Sequence, residues 1–350
     1  IDGYAAQHLL KTSNDPSHSI RRLGGYLLAV SFLMPSGLAR MVAFTPVVEE
    51  MNTIYGLDSD SSFLTSSFLI LGQLNPVASI SLMTGGGLPI IGSALIRSSG
   101  YSIEWLDWAI YMAPPTMFIF VTGVVCARVL HPPDSRTEKA ETVSTAPSDL
   151  TREQLIVGAV MGVTLIAWAI GSIIGIPTIL PAIGAVAVLS APHIRVFSAE
   201  DIKDVNWGIL FLIGSMLSLI EALESTGAFD WIIRVISTVI PFSIIDPWLI
   251  LGLIVCFMIV SRLLFPNGST CLIVVMPIII NFAEIYNLNV LYTSFATVLI
   301  IGSTVLLPLN IPPALLASNK GHVSTRNVFA YGIVTMVISV ISVTIAWNVY

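Results

Sequence analysis

The stretch FPNGST, residues 265–270, interrupts a long apolar part of the chain. It follows LILGLIVCFMIVSRLL, residues 249–264, and precedes CLIVVMPIIINF, residues 271–282. Proline and glycine are unfavourable inside a helix, and non-helical backbone at membrane depth is tolerated only against protein or a watery cavity. The stretch therefore predicts two helices that meet at a functional break within the membrane.

The composition indicates a helical membrane protein. Of the 350 residues, 55% are hydrophobic and only 10% are charged, and the mean hydropathy is +0.88. Apolar runs of about 17 to 25 residues, the length that crosses a bilayer as a helix, occur at 106–127, 154–174, 205–223 and 327–348. The alternation typical of membrane strands is not seen, and the basic residues form no patch for nucleic acid. We therefore expect an all-α, polytopic protein that contacts the lipid bilayer and has no nucleic-acid partner.

The break has a counterpart earlier in the chain. MPSGLARMVAFTP, residues 34–46, and FPNGSTCLIVVMP, residues 265–277, share a proline, a glycine two residues later and a second proline eleven residues after the first. Beyond each, a predicted helix is broken in its middle, by MTGGGLP within 62–96 and by PLNIPP within 293–316. Paired broken helices in an internal repeat are typical of secondary transporters.

The repeat divides the chain into two halves around a polar linker. The first repeat covers residues 1–130 with a re-entrant hairpin at 24–51, and the second covers 154–350 with a re-entrant hairpin at 247–282. Residues 131–153 are rich in proline, serine, threonine and charge, which is typical of a flexible linker.

Loop charges predict the orientation of the repeats. Eleven lysine and arginine residues fall in loops on the side of the linker, whereas only Arg97 and Arg234 fall in loops on the other side. Because an excess of basic residues marks the cytoplasmic side, the linker is placed there. The two hairpins must then enter from opposite sides, and the two repeats are inverted.

The first repeat is shorter than the second. The tip proline Pro266 lies 112 positions after residue 154, whereas only 34 residues precede Pro35. If the repeats are equivalent, the first one is N-terminally incomplete, and its missing part includes counterparts of the helices predicted at 154–174, 178–191 and 205–223.

The hairpin tips offer ligands for an anion and for an alkali cation. The N-terminus of a half-helix presents free N–H groups and a positive dipole end, which suit an anion, and the carbonyls of C-terminal ends suit Na⁺. Gly37 and Gly268 allow the exposed backbone that this requires. Small oxygen donors flank these glycines: Ser36, Asn267, Ser269 and Thr270.

Two arginines lie near the tips, and charge inside a membrane is a functional hypothesis by default. Arg40 follows Pro35, and Arg262 precedes Pro266. Two interpretations are open, since the guanidinium groups could bind a substrate carboxylate through two parallel hydrogen bonds or could extend to the membrane interface. We include Arg40 among the predicted substrate-binding residues.

The order of these motifs resembles the divalent anion/sodium symporter family of the ion transporter superfamily. The resemblance is carried by MPSGLAR, FPNGST, DVNWGILFLIGSMLSLIEALESTG and LNIPPALLASNKGHVSTRNVFAYGI, and it covers nearly the whole chain. It implies a homodimer with a scaffold domain and an elevator-type transport domain. It also implies transport of a dicarboxylate, a tricarboxylate or sulfate, coupled to Na⁺, with no other cofactor.

The resemblance also implies which residues bind substrate and ion. The substrate-binding residues carried over by position are Ser36, Gly37, Leu38, Thr84, Gly85, Gly86, Asn267, Gly268, Ser269, Asn310, Ile311 and Pro312. Ligands for Na⁺ would be Ser36, Gly37, Gly85, Asn267, Gly268 and Asn310. In the family an asparagine stands where this chain has Gly37 and Gly268, and a threonine stands where it has Leu38, so the side-chain ligands are fewer here.

Three classes of function are weighed. A secondary transporter of a small anion in the plasma or inner membrane is favoured. A cation/proton antiporter or a metalloid exporter of the same superfamily would be favoured by a lone acidic residue at a break, and the tips carry serine, asparagine, threonine and arginine instead. A membrane enzyme or assembly protein is the third class, and the sequence offers no nucleophile, metal or phosphate-loop constellation for it.

Overall fold

The computed structural model describes residues 15–134, 151–194, 196–198, 200–201, 203, 207–228, 231, 234–235 and 247–347. Throughout these ranges the regular structure is helical, with no strand, as expected for an all-α protein. The first 14 residues of the first repeat and most of the predicted linker, residues 135–150, lie outside the described residues.

Each predicted hairpin consists of two helices of equal length. Helices Pro16–Leu33 and Gly37–Ile54 have 18 residues each and are joined by residues 34–36. Helices Pro247–Leu264 and Gly268–Ile285 also have 18 residues each and are joined by residues 265–267. We call residues 34–37 the first tip and residues 265–268 the second tip.

Residues at matching places start, bend and end the second helix of each hairpin. An N-cap side chain, an internal proline and a C-cap tyrosine keep one constant offset along the chain: Ser36 and Asn267, Pro46 and Pro277, Tyr55 and Tyr286. The first hairpin begins before the predicted boundary at residue 24. Its first helix is capped by Asp15, whose side chain accepts from the Ser17 N–H, and Pro16 takes the position that best tolerates proline.

The first broken helix leaves α-helical geometry earlier than MTGGGLP predicts. The α-helix Ser62–Leu69 continues into a π-helical segment at Ile70–Leu74, a short α-turn at Asn75–Ala78 and a 3₁₀ turn at Ser79–Ser81. Pro76 lacks an N–H and its ring would clash with the carbonyl four residues earlier, which accounts for the widened turn before it. The chain is then non-helical until helix Gly87–Ser98. We call residues 70–86 the first break.

The second broken helix is interrupted at the predicted place. Helix Val290–Ser303 ends before an extended stretch, and a 3₁₀ turn at Pro308–Asn310 leads into helix Pro312–Asn319. We call residues 304–311 the second break.

The two halves of the molecule interlock through small residues. Helix Gly87–Ser98 packs on the second hairpin and on helix Val290–Ser303, where a Cβ at Gly92 would lie 2.8 Å from Val298 Cγ2. Helix Pro312–Asn319 packs on the first break, where a Cβ at Gly72 would lie 3.1 Å from Ala317 Cβ. Each broken helix therefore reaches across to the opposite half, and this crossing brings the two tips to one region.

Five helices of the described ranges are long and apolar enough to span a membrane: Ser62–Ser81, Trp105–Leu130, Arg152–Ile174, Gly268–Ile285 and Thr325–Ala346. A helix satisfies most of its backbone groups internally, as the hydrocarbon interior requires. The chain is thus a multi-pass integral membrane protein.

The helices after the linker present apolar side chains outward. In helix Arg152–Ile174, Ile166, Ile170 and Ile173 are exposed, and helix Ile179–Leu189 contains no buried residue. Exposed apolar surface of this kind suits lipid or another protein subunit.

Candidate functional site

A cavity of about 650 Å³ lies where the two tips and the two breaks meet. Its wall includes Ser36 and Gly37 of the first tip and Asn267 and Gly268 of the second. The polar side chains in the wall are few and neutral: Ser36, Ser79, Thr84, Asn267 and Ser269. Among the described residues that form the wall, none carries a charged side chain. The volume lies within the range of small-molecule sites, about 300–1,000 Å³.

Four helices begin at the cavity wall. Their first residues, Gly37, Gly87, Gly268 and Pro312, all line the cavity. The first N–H groups of a helix have no partner within it, and the helix dipole places a partial positive charge there. Helix Pro312–Asn319 begins with two prolines, which carry no N–H, so its start contributes chiefly through the dipole. Four such ends around one space give it a positive potential without any charged side chain in the wall.

The N-cap side chains at the tips are oriented by the helices they start. Ser36 Oγ accepts from the Ala39 N–H at 3.2 Å, and Asn267 Oδ1 accepts from the Ser269 N–H at 2.9 Å. Both residues line the cavity. The Asn267 amide nitrogen and the Ser36 hydroxyl hydrogen are the side-chain donors that these bonds leave for a ligand.

Arg40 is fully buried and holds the first tip against the first break. Its Nη1 donates to the Met34 carbonyl, and its Nη2 donates to the Ser79 hydroxyl at 2.6 Å. Its Nε donates to Asn75 Oδ1 at 2.5 Å, and Nη2 also donates to the Asn75 carbonyl at 2.8 Å. The guanidinium is not part of the cavity wall, and its three nitrogens donate to these protein groups.

Asn75 is a site residue that sequence reasoning missed. Its Oδ1 accepts from Arg40, and its Nδ2 donates to the Gly37 carbonyl at 2.7 Å. A signal for it exists, because LNP at residues 74–76 lies inside an apolar helix and resembles LNIPP at 309–313. The repeat pattern in the sequence instead pairs MTGGGLP with the second break.

Arg262 makes equivalent contacts at the second tip. Its Nη1 donates to the Phe265 carbonyl at 2.8 Å, and its Nη2 donates to the Asn310 carbonyl at 3.2 Å. Its Nε donates to the Ile301 carbonyl at 3.2 Å. Each tip therefore has a buried arginine that binds the residue before the tip proline and an asparagine of the adjacent break.

The structure brings most of the predicted site residues together. Ten residues from the predicted set line the cavity: Ser36, Gly37, Leu38, Thr84, Gly86, Asn267, Gly268, Ser269, Ile311 and Pro312. Four others do not belong to the wall: Arg40, Gly85, Thr270 and Asn310. Gly85 packs against the Ser79 backbone within the first break. Asn310 Oδ1 accepts from the Leu306 and Leu307 N–H groups at 3.0 and 2.8 Å.

Four of the six predicted Na⁺ ligands, Ser36, Gly37, Asn267 and Asn310, already accept hydrogen bonds from protein groups. The Gly37 carbonyl accepts from Asn75, the side-chain oxygens of Ser36 and Asn267 accept from helix N–H groups, and the Asn310 carbonyl accepts from Arg262. A second cation beside the guanidinium groups would be repelled by them. The residues present therefore fit Na⁺ poorly at the breaks. Within the described ranges, no group of three His, Cys, Asp or Glu side chains could hold a metal ion.

The chain is similar to known membrane transport proteins. The family model for the sodium:sulfate symporter transmembrane region matches residues 22–350. A membrane protein of Cupriavidus necator is 22% identical over 323 residues, which cover 89% of this chain and 63% of that protein. L-tartrate/succinate antiporters of Shigella dysenteriae and Escherichia coli K12 are 26% and 25% identical over 226 residues, or 59% of this chain and 46% of theirs.

The chain spans less than two thirds of the length of these relatives. The family match nevertheless extends over nearly all of the chain, and both the family and the relatives with a stated activity are transporters rather than enzymes. The family predicted from the tip and break motifs is thereby confirmed. The chain belongs to the sodium:sulfate symporter family of membrane transporters.

Proposed function

We propose that the protein is a secondary active transporter that moves a small anion, a dicarboxylate, tricarboxylate or sulfate, through the cavity between the two tips. One observation carries the proposal: four helix N-termini converge on a cavity whose described wall contains no acidic side chain. Such ends stabilise negative charge through the helix dipole and, in the three helices that begin with glycine, also through N–H groups of the first turn. The residues proposed to contact the anion are those that line the cavity at the tips, above all Ser36, Asn267 and Ser269.

The comparisons support an anion as the substrate. The family is described by sodium and sulfate, and the antiporters among the relatives are named for tartrate and succinate, which are dicarboxylates. The cation/proton antiporter of the same superfamily is less well supported, because the described wall lacks the acidic residue that would carry a cation or a proton.

Two coupling schemes follow from the comparisons with known proteins. The family description supports Na⁺ symport, and the relatives' name supports exchange of one anion for another. Uptake measured with and without Na⁺ distinguishes the two schemes.

The proposed movement is an elevator motion of inverted repeats within a homodimer. The two hairpins of equal helix length support the repeat, and the exposed apolar side chains of helices Arg152–Ile174 and Ile179–Leu189 offer surface for a second subunit. The proposal includes a first repeat at residues 1–130, a second repeat at 154–350 and a cytoplasmic linker at 131–153.

Reconstitution into liposomes tests the transport proposal. Labelled succinate, tartrate, citrate and sulfate are offered to vesicles loaded with the same unlabelled anion. Gly87→Leu should abolish uptake, because Gly87 lines the cavity and a Cβ there meets no atom within 4 Å, so that the added side chain would occupy the cavity. Gly162→Leu is the matched control, since a Cβ there meets nothing within 4 Å. Equal uptake by the two variants, or no uptake of any of these anions by the unaltered protein, would contradict the proposal.

A further inference from the structure

Two buried guanidinium groups lie directly behind the cavity wall, one at each tip. Arg40 and Arg262 are 0% and 1% exposed. Arg40 binds Ser79, which lines the cavity, and a Cβ at the lining residue Gly268 would lie 3.8 Å from both Nε and Nη2 of Arg262. A guanidinium stays protonated throughout the physiological pH range. The cavity therefore has two permanent positive charges immediately behind its wall.

The oxygen atoms that bind these groups are of the kind that coordinates Na⁺ in transporters with broken helices. Such transporters use carbonyls at half-helix C-termini and carbonyls of unwound backbone. Met34 follows the end of helix Pro16–Leu33, and Phe265 follows the end of helix Pro247–Leu264. The carbonyls of both residues accept from an arginine Nη1, and the break asparagines Asn75 and Asn310 provide carbonyls to Nη2.

The two arginines reach the same contacts from different places in the sequence. Arg40 follows its tip proline, on the second helix of the first hairpin, whereas Arg262 precedes its tip proline, on the first helix of the second hairpin. Simple copying of one repeat would place them at equivalent positions. A cationic group at each tip is therefore the feature that the two halves share, rather than an arginine at one repeated position.

We propose that Arg40 and Arg262 are fixed cations that take the place of coupling Na⁺ at the two tips, so that anion transport by this protein proceeds without Na⁺. The inference rests on the proposed anion transport and specifies its coupling. A fixed cation cannot dissociate into the solution on either side, so it provides no ion gradient to drive uptake. An empty site would keep both charges without a compensating anion, which favours exchange of one anion for another.

Ion replacement in the unaltered protein is the first test. Liposomes that contain the reconstituted protein and unlabelled succinate, tartrate, citrate or sulfate receive the same labelled anion in NaCl or in choline chloride. A coupled ligand typically changes the affinity of its partner by about 5- to 150-fold, so equal rates within about twofold are expected if Na⁺ is not coupled. Exchange that is measurable in NaCl and falls more than about fivefold in choline would overturn the inference while leaving anion transport intact. No exchange of any of the four anions in either medium would overturn the proposed function itself and this inference with it.

Charge replacement at the second tip is the second test. Arg262→Gln removes the charge, Arg262→Lys keeps it, and Arg97→Gln is the control, because Arg97 also donates to a carbonyl, that of Ile103 at 2.7 Å, but does not line the cavity. We expect exchange in choline to fall more than about tenfold in Arg262→Gln, to be partly retained in Arg262→Lys, and to stay unchanged in Arg97→Gln. Partial recovery of Arg262→Gln by NaCl would directly support a cation site.

The variants can also contradict the proposal. Normal exchange by folded Arg262→Gln in choline would show that the charge is not needed. Equal loss in folded Arg262→Gln and Arg262→Lys would show that the guanidinium acts through its hydrogen-bond geometry rather than its charge. If a variant does not fold, the ion replacement in the unaltered protein still decides.

Discussion

Arg40 and Asn75 are joined twice, since Nε of the arginine donates to Oδ1 at 2.5 Å and Nη2 donates to the backbone carbonyl at 2.8 Å. The Asn75 amide nitrogen continues the connection to the Gly37 carbonyl at 2.7 Å. The first tip is therefore held against the first break by one asparagine, and its removal has a defined consequence.

Asn75→Ala should lower the transport rate of the protein that remains folded. The substitution leaves two buried groups without this partner, which costs about 1–3 kcal/mol each, and it frees the first tip to shift, which can lower a rate about 100-fold. Asn52→Ala is the matched control, because Asn52 is a buried asparagine that bonds to the Leu57 and Asp58 carbonyls away from the cavity. Exchange rates per folded protein should fall only in Asn75→Ala; equal rates in the two variants would remove the role assigned to Asn75.

Substitution by alanine should affect the stability of the protein differently at two nearby glycines, Gly85 and Gly87. A Cβ at Gly85 would lie 2.0 Å from the Ser79 carbonyl oxygen, whereas a Cβ at Gly87 meets nothing within 4 Å. Because the obstacle at Gly85 is backbone, we expect Gly85→Ala to lose about 1–3 kcal/mol or more of stability and Gly87→Ala to lose almost none. Thermal unfolding of the detergent-solubilised protein measures the difference, and equal melting temperatures would mean that the first break can relax around the added methyl group.

The N-caps at the tips should matter for both folding and binding. Ser36→Ala and Asn267→Ala each remove a cap worth about 0.5–2 kcal/mol and also remove a polar group from the cavity wall. Ser61→Ala removes a comparable cap, to the Leu64 N–H at 3.2 Å, outside the cavity. All three variants should melt earlier, but only the two tip variants should raise the KM for the anion. A raised KM in Ser61→Ala would indicate that capping alone accounts for the effect.

The proposed inversion of the two repeats predicts that two equivalent positions face opposite sides of the membrane. Thr53 and Glu284 lie in the last turn of the second helix of each hairpin, and both are exposed. We expect an impermeant maleimide, added to sealed right-side-out vesicles, to label only one of Thr53→Cys and Glu284→Cys in a chain whose three native cysteines are replaced by alanine. The other position should react only after the membrane is opened. Labelling of both from one side would show that the repeats are parallel.

The tips could be predicted from the sequence because their signal is local. A proline and a glycine two residues apart, inside an apolar run and repeated once, specify a helix end and a helix start in both halves. Helix lengths and caps then follow from the residues around them. Three of the membrane-spanning helices, Trp105–Leu130, Arg152–Ile174 and Thr325–Ala346, could be predicted in the same way, because length and hydropathy define them.

The first break and the arginine contacts could not be predicted in the same way. Pro76 disturbs the helix before it, and the chain forms a π-helical segment at Ile70–Leu74. The same proline could have produced a simple kink if the surrounding packing had been different. The equivalence of Arg40 and Arg262 is a property of contacts in space, because one follows its tip and the other precedes it. An alignment of the two repeats places them in different columns, so their common partners became visible only with the side chains in place.

The two buried guanidinium groups also determine how membrane voltage acts on the proposed transport cycle. A bound dianion balances two fixed positive charges, so the loaded site carries no net charge across the electric field. The empty site keeps both charges, and moving them through a potential of 100 mV involves about 2.3 kcal/mol per charge. With the cytoplasm negative, voltage would hold the empty site facing inward until an internal anion binds, and the exchange of two dianions would itself generate no current.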